Sequence, residues 1–175
     1  MEILQREEAV PSSLPSPPSG MSTPALMLEA SVWARIEAYT AHRFTTREVV
    51  WTVEGPGEFK PDLQPATITA QEVWDGTAWI AASLTAGPLG GVELTGEGPY
   101  RITADVGGGT VPAPVSEAFR RLAEYLAESD TPPGVSSYSY RLGDVEETMQ
   151  RNPAHVARAL QYSGAADLLR PYRRA

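Results

Sequence analysis

The apolar period of this chain changes twice, and the two changes bound what it can fold into. Ala25, Leu28, Val32, Ile36 and Tyr39 recur at helical spacing, with Glu29 and Glu37 away from the stripe. From Arg47 the period is two: Val49, Trp51 and Val53 alternate with Val50, Thr52 and Glu54. Tyr100, Ile102, Ala104 and Val106 alternate in the same way with Arg101, Thr103 and Asp105. Past Pro114 the helical period returns in Val115, Phe119, Leu122 and Leu126. A helical pattern does not settle as a strand, nor the reverse. The expected class is therefore α+β: an N-terminal helix, a small antiparallel unit over about 47–107, a helix packed on it, then a C-terminal helix and an extended tail.

Turn chemistry places the boundaries. Thr23 caps the first helix and Pro24 takes its first position. Asp75-Gly76 lies between two strand-like runs and predicts a hairpin. "PLGGVELTGEGPY" reads as a further strand between glycine turns, and Pro132-Pro133-Gly134 breaks the pattern after the later helix. A last helix is expected from Asn152 (cap) and Pro153, carrying Val156 and Leu160 and ending at Ser163-Gly164 with the glycine left-handed. Residues 1–21 include "PSSLPSPPSG", which blocks regular pairing, and read as an extended or disordered arm. That leaves 22–150 as the core domain and 151–175 as C-terminal helix and tail.

The net charge is −8, against a protein that grips nucleic acid by its phosphates. From Arg141 onward six arginines face Asp144, Glu146, Glu147 and Asp167, leaving +2 there and −10 elsewhere. With no cysteine there is no disulfide framework and no thiolate metal site. No apolar run approaches the length of a membrane-spanning helix, and "MEILQREEAV" lacks the form of a secretory signal.

No catalytic constellation emerges, and no cofactor is expected. His42 and His155 fall in different elements without placed co-ligands. Ser163-Gly164 lacks the strand-turn-helix setting of a nucleophile elbow. Glu72 and Asp75 flank a hairpin turn, where solvated turn residues are the better reading than an acid/base pair. Gly96-Glu97-Gly98 and Gly107-Gly108-Gly109 match no phosphate-binding fingerprint and read as turns. Trp51, Trp74 and Trp79 sit in expected strands, where packing explains them better than base stacking. They also leave open a monomeric β-rich module that binds a sugar or peptide.

"ARIEAYTAHRFTTREVVW", "VWDGTAWI", "GEGPYRITADVGGGTVPAPVSEAFRRLAEYLAES" and "SGAADLLRPYRR" together resemble the head–tail connector, or adaptor, proteins of long-tailed phages and gene transfer agents. The likeness covers about 25–128 and 150–174 and departs at the front, where many members have more than one helix. It implies a structural part rather than an enzyme: a ring of copies, a dodecamer, under the portal protein in the particle neck. The ring would lengthen the channel for double-stranded DNA without binding it specifically, and meet a stopper or tail-completion protein on its far side. A stopper role is the neighbouring alternative. Assembly would take place in the bacterial cytoplasm. The resemblance, with the chemistry of the segment, also implies a portal-docking tail: Leu168, Leu169 and Tyr172 as apolar anchors, Pro171 limiting freedom, and Arg170, Arg173 and Arg174 pairing with carboxylates.

Overall fold

Alternation puts Val49, Trp51 and Val53 on one side of strand β2 (Arg47–Glu54), and all three are buried. In the computed structural model, which describes residues 1–128, 137–142, 145–150 and 156–173, the chain forms two units. The first comprises Met1–Pro15 and Ala41–Thr110; the second comprises Ser16–Thr40 and the described residues of 111–173. The α+β class holds.

The first unit is the sheet. Around β2 it contains β1 (Glu2–Glu8), β3 (Gly57–Phe59), β4 (Ala66–Trp74), β5 (Trp79–Ala81), β6 (Val92–Leu94) and β7 (Tyr100–Val106). Five strands pair antiparallel in the order β1-β2-β7-β4-β5, and β3 pairs with β6. Trp51 sits opposite Ile102 and Val49 opposite Ala104, so the inner faces of β2 and β7 make one apolar surface. Phe59, Leu63, Val92 and Leu94 cover it. The expected hairpin is β4–β5: Asp75 Oδ1 accepts from the Thr77 and Ala78 amides and the Thr77 hydroxyl, each at 2.8 Å. Gly107 leaves β7 at φ 96°, where a Cβ would stand 2.4 Å from the Thr45 carbonyl oxygen.

The second unit contains α1 (Thr23–Leu26), α2 (Glu29–Thr40), α3 (Ala113–Ala127), the hairpin β8 (Ser137–Leu142) with β9 (Val145–Gln150), α4 (Ala159–Tyr162), α5 (Ala165–Leu169) and a 3₁₀ turn, Arg170–Tyr172. Val32, Trp33 and Ile36 of α2 and Val115, Phe119 and Leu122 of α3 are fully buried or nearly so, with the Trp33 and Phe119 rings 4.8 Å apart. Pro112 precedes α3, and proline lies within its first turn.

Several expectations change. The first helix is two, interrupted at Met27-Leu28, and its cap is Ser22 rather than Thr23. The Ser22 hydroxyl accepts from the Ala25 amide, while its own N–H and O–H both donate to the Glu124 carboxylate at 2.8 and 2.7 Å. That carboxylate, from α3, fixes the start of α1. The start expected at Asn152-Pro153 lies outside the described residues, as do Pro132-Pro133-Gly134. Within the described residues α4 begins only at Ala159, and Val156 is 46% exposed, so it contributes to no apolar stripe. The tail is helical over 165–172 rather than extended.

Residues 1–21 also differ from a uniform arm, because Glu2–Glu8 is a strand paired with β2. Its side chains are almost all exposed, so apolar burial does not hold it. Charge does. Glu8 takes two hydrogen bonds from Arg43, Nε at 2.6 Å and Nη2 at 2.8 Å, and one from Arg47 Nη1 at 3.0 Å. Both arginines are only 8% exposed. The Arg43 hydrogen bond leads in holding the Glu8 carboxyl below its usual 4.5, against the opposing effect of burial. Stability from this group is complete above that ordinary value and is lost as pH falls through the lowered native one. Glu8→Gln should cost about 2 kcal/mol near neutrality. Denaturant titrations of both forms should show the gap closing as the pH falls below the ordinary carboxyl range.

Candidate functional site

Two surfaces carry the chemistry that the core does not use. The first is the outer face of the five-stranded sheet. Residues that alternate away from the core, Gln5 and Glu7 of β1, Glu48, Val50 and Thr52 of β2, Arg101 and Thr103 of β7, Glu72 of β4 and Trp79 of β5, line an open cleft of about 400 Å³. Arg101 donates from Nε to Glu72 Oε2 at 2.6 Å and lies 4.8 Å over the Trp79 ring. Trp79 meets Trp74 edge-on at 5.4 Å. One face of Trp79 is thus covered by the protein's own guanidinium, while Trp74 is 37% exposed.

The carboxylates of this face outnumber its cations. Glu48 stands directly opposite Asp105 across the β2–β7 ladder, and both are exposed. Glu7 accepts from the Gln5 amide at 2.7 Å. Among the described residues none of these three carboxylates meets a cation. Opposed like charges destabilise a sheet. Of the other acids noted by position, Glu93 is half-buried on β6 and Glu97 is exposed in the turn before β7.

Neither member of the Glu72/Asp75 pair is poised to hold a proton. The Arg101 hydrogen bond lowers the pKa of Glu72, and the turn amides of Ala78 and Thr77 lower that of Asp75. A general acid needs the opposite shift. His42 packs edge-on to Phe44 at 4.6 Å, and His155 lies outside the described residues. Among the described residues no cluster of His, Asp or Glu is arranged to hold a metal ion. Gly96 donates to the Tyr100 hydroxyl at 2.9 Å and Gly107 to the Pro65 carbonyl at 2.8 Å, both turn contacts. Trp51 is fully buried, its indole N–H donating to Asp62 at 2.8 Å.

The second surface is the tail. Gly164, at φ 71°, separates α4 from α5. The anchors expected there behave differently from one another. Leu169 is fully buried, on a helix that packs against α3, and belongs to the core of its own unit. Leu168 and Tyr172 are half-buried. Arg170, Pro171 and Arg173 are exposed, with the Arg173 guanidinium 5.4 Å over the Tyr39 ring; Arg174 lies outside the described residues. Sequence reasoning did not separate Leu168 from Leu169, since only the position of α5 against α3 distinguishes them.

No family model and no curated protein matches the chain. Solved structures do. A chain from the neck of an empty gene transfer agent particle, computed with C6 symmetry, is similar over 98% of this chain and 96% of its own, with TM-score 0.60 and 17% identity. A chain from the neck of a native particle, computed with C12 symmetry, is similar over 89% and 84%, with TM-score 0.55 and 16% identity. A chain from the virion of a native gene transfer agent particle gives TM-score 0.55 at 17% identity, over 86% and 77%. This chain shares their fold.

Leu169→Ala should destabilise the free protein by about 2–4 kcal/mol, as a core truncation does. Thermal unfolding checks this; an unchanged midpoint would mean that Leu169 is not part of the core.

Proposed function

We propose that this chain is a structural connector in the neck of a tailed-phage or gene transfer agent particle, present as a ring of copies that joins the portal protein to the tail. The observation that carries this reading is the fold likeness to neck chains over almost the whole length of both partners. The C12 and C6 symmetries of those necks support a ring, with twelve copies as its expected size. The chain acts in the particle, and a stopper or tail-completion protein takes its far face.

Each surface has a role in this reading. The uncompensated carboxylates Glu7, Glu48 and Asp105 suit a part that DNA passes without adhering, because a basic surface would hold phosphates tightly. The exposed tail residues Arg170, Pro171 and Arg173, continued by Arg174 and assisted by the half-buried Leu168 and Tyr172, dock on an acidic portal surface. Leu169 supports them from inside. One such contact per copy, repeated around a ring, gives firm attachment through multivalency.

Arg170→Glu with Arg173→Glu should lower the unfolding midpoint of the free protein only slightly, since both side chains are exposed and the Arg173–Tyr39 contact is the one lost. Supplied in place of the native chain in producing cells, the double variant should yield filled heads without tails. Normal particle yield would place the portal contact elsewhere, and normal yield without the chain at all would end the connector reading. In physiological salt the isolated protein should not bind duplex DNA at micromolar affinity, a level that requires a basic footprint. Filter retention or fluorescence anisotropy measures this.

A further inference from the structure

Among the described residues, two strand edges call for a partner: that of β1 and that of the β8–β9 hairpin. β1 is the outer strand of the five-stranded sheet, and among the described residues its far edge pairs with nothing. It is a firm edge: Glu8 is clamped by Arg43 and Arg47, and Arg6 reaches Asp62 at 2.5 Å. Near its start it also exposes two apolar side chains, Ile3 at 39% and Leu4 at 51%. Long exposed edges of this kind are templates for pairing unless they are protected. The hairpin β8–β9 has the complementary problem. Among the described residues it joins no third strand, and a lone two-stranded hairpin is marginal in water.

We propose that β8 of one copy adds to the free edge of β1 in the next copy, continuing its sheet across the subunit boundary. The occupant is a second copy of this chain, and the proposal rests on the ring reading above. Length supports it: β1 has seven residues and β8 six, whereas the opposite sheet edge, β5, has three. Charge selects β8 over β9. β1 carries Glu2, Glu7 and Glu8 against Arg6; β8 carries Arg141 and no acid, while β9 carries Glu146 and Glu147. Pairing β1 with β1 of a second copy would set Glu2 against Glu8 and would close at two subunits. A contact between two different edges repeats head to tail, as a ring requires. Main-chain hydrogen bonds would supply the affinity, as in other strand additions.

The test uses one block on each edge. Leu4 is the bulge residue of β1 and has no partner in β2, so Leu4→Pro blocks the free edge with least damage to the β1–β2 ladder. Tyr140→Pro disables β8. The native protein should associate beyond dimers on concentration, followed by light scattering, with amide exchange in 2–8 and 137–142 slowed about tenfold or more in the associated form. Each variant alone should stay monomeric. Mixed in equal amounts they should give dimers and nothing larger, because one sound hairpin then meets one sound edge. If circular dichroism shows Leu4→Pro unfolded, Ile3→Lys with Leu4→Lys replaces it, with the same expectations. A native chain that stays monomeric, variants that associate like the native chain, or a mixture without dimers each overturns the proposal. Head–tail joining by the native chain in cells would persist if only this contact were wrong, so the two readings fail separately.

Discussion

The indole N–H of Trp51 has to find an acceptor, because the ring is fully buried between β2, β7 and Phe59. Asp62 supplies it, and with its other carboxylate oxygen Asp62 also holds Arg6 of β1. One carboxylate thus ties the deepest aromatic of the sheet to its outermost strand. Glu8 repeats the arrangement at the far end of β1, where it pairs with two nearly buried arginines. The sheet is built from the inside by apolar alternation and finished at its edge by charge. Those two carboxylates fasten a strand of almost wholly exposed side chains to the sheet.

What the sequence showed and what it hid divide along the same line. β2, β7 and α3 each bury one face, so periods of two and 3.6 betray them, and Asp75-Gly76 marks its hairpin by turn chemistry alone. β1 has no such period. In "EILQREE" the two faces are almost equally exposed, and the strand exists because of partners 35 to 56 residues away. Helix α2 appeared in the stripe of Val32 and Ile36, but Trp33, the largest buried side chain of its unit, lay outside the expected stripe. The start of α1 at Ser22 depends on Glu124, which no local pattern announces.

The candidate surfaces were legible only in outline. An acidic excess outside the C-terminal region can be counted from residues, yet the opposition of Glu48 and Asp105 is a property of register. In the tail, adjacent leucines of the same chemistry have different duties. Leu169 faces its own unit and Leu168 is half-buried, because successive residues on α5 point about 100° apart. A tail whose buried leucine secures it to its own unit has little backbone entropy left to lose if its arginines dock as proposed.

The opposed carboxylates of β2 and β7 have a consequence for the water above them. With no cation among the described residues paired to Glu7, Glu48 or Asp105, counter-charge gathers over the sheet from dissolved ions. That layer is mobile and renews itself from the solvent. A polyanion brings a cation layer of its own, so at close approach the two atmospheres are squeezed together before any atoms touch. In a particle neck, such a face would act as an osmotic cushion whose stiffness is set by the salt around it.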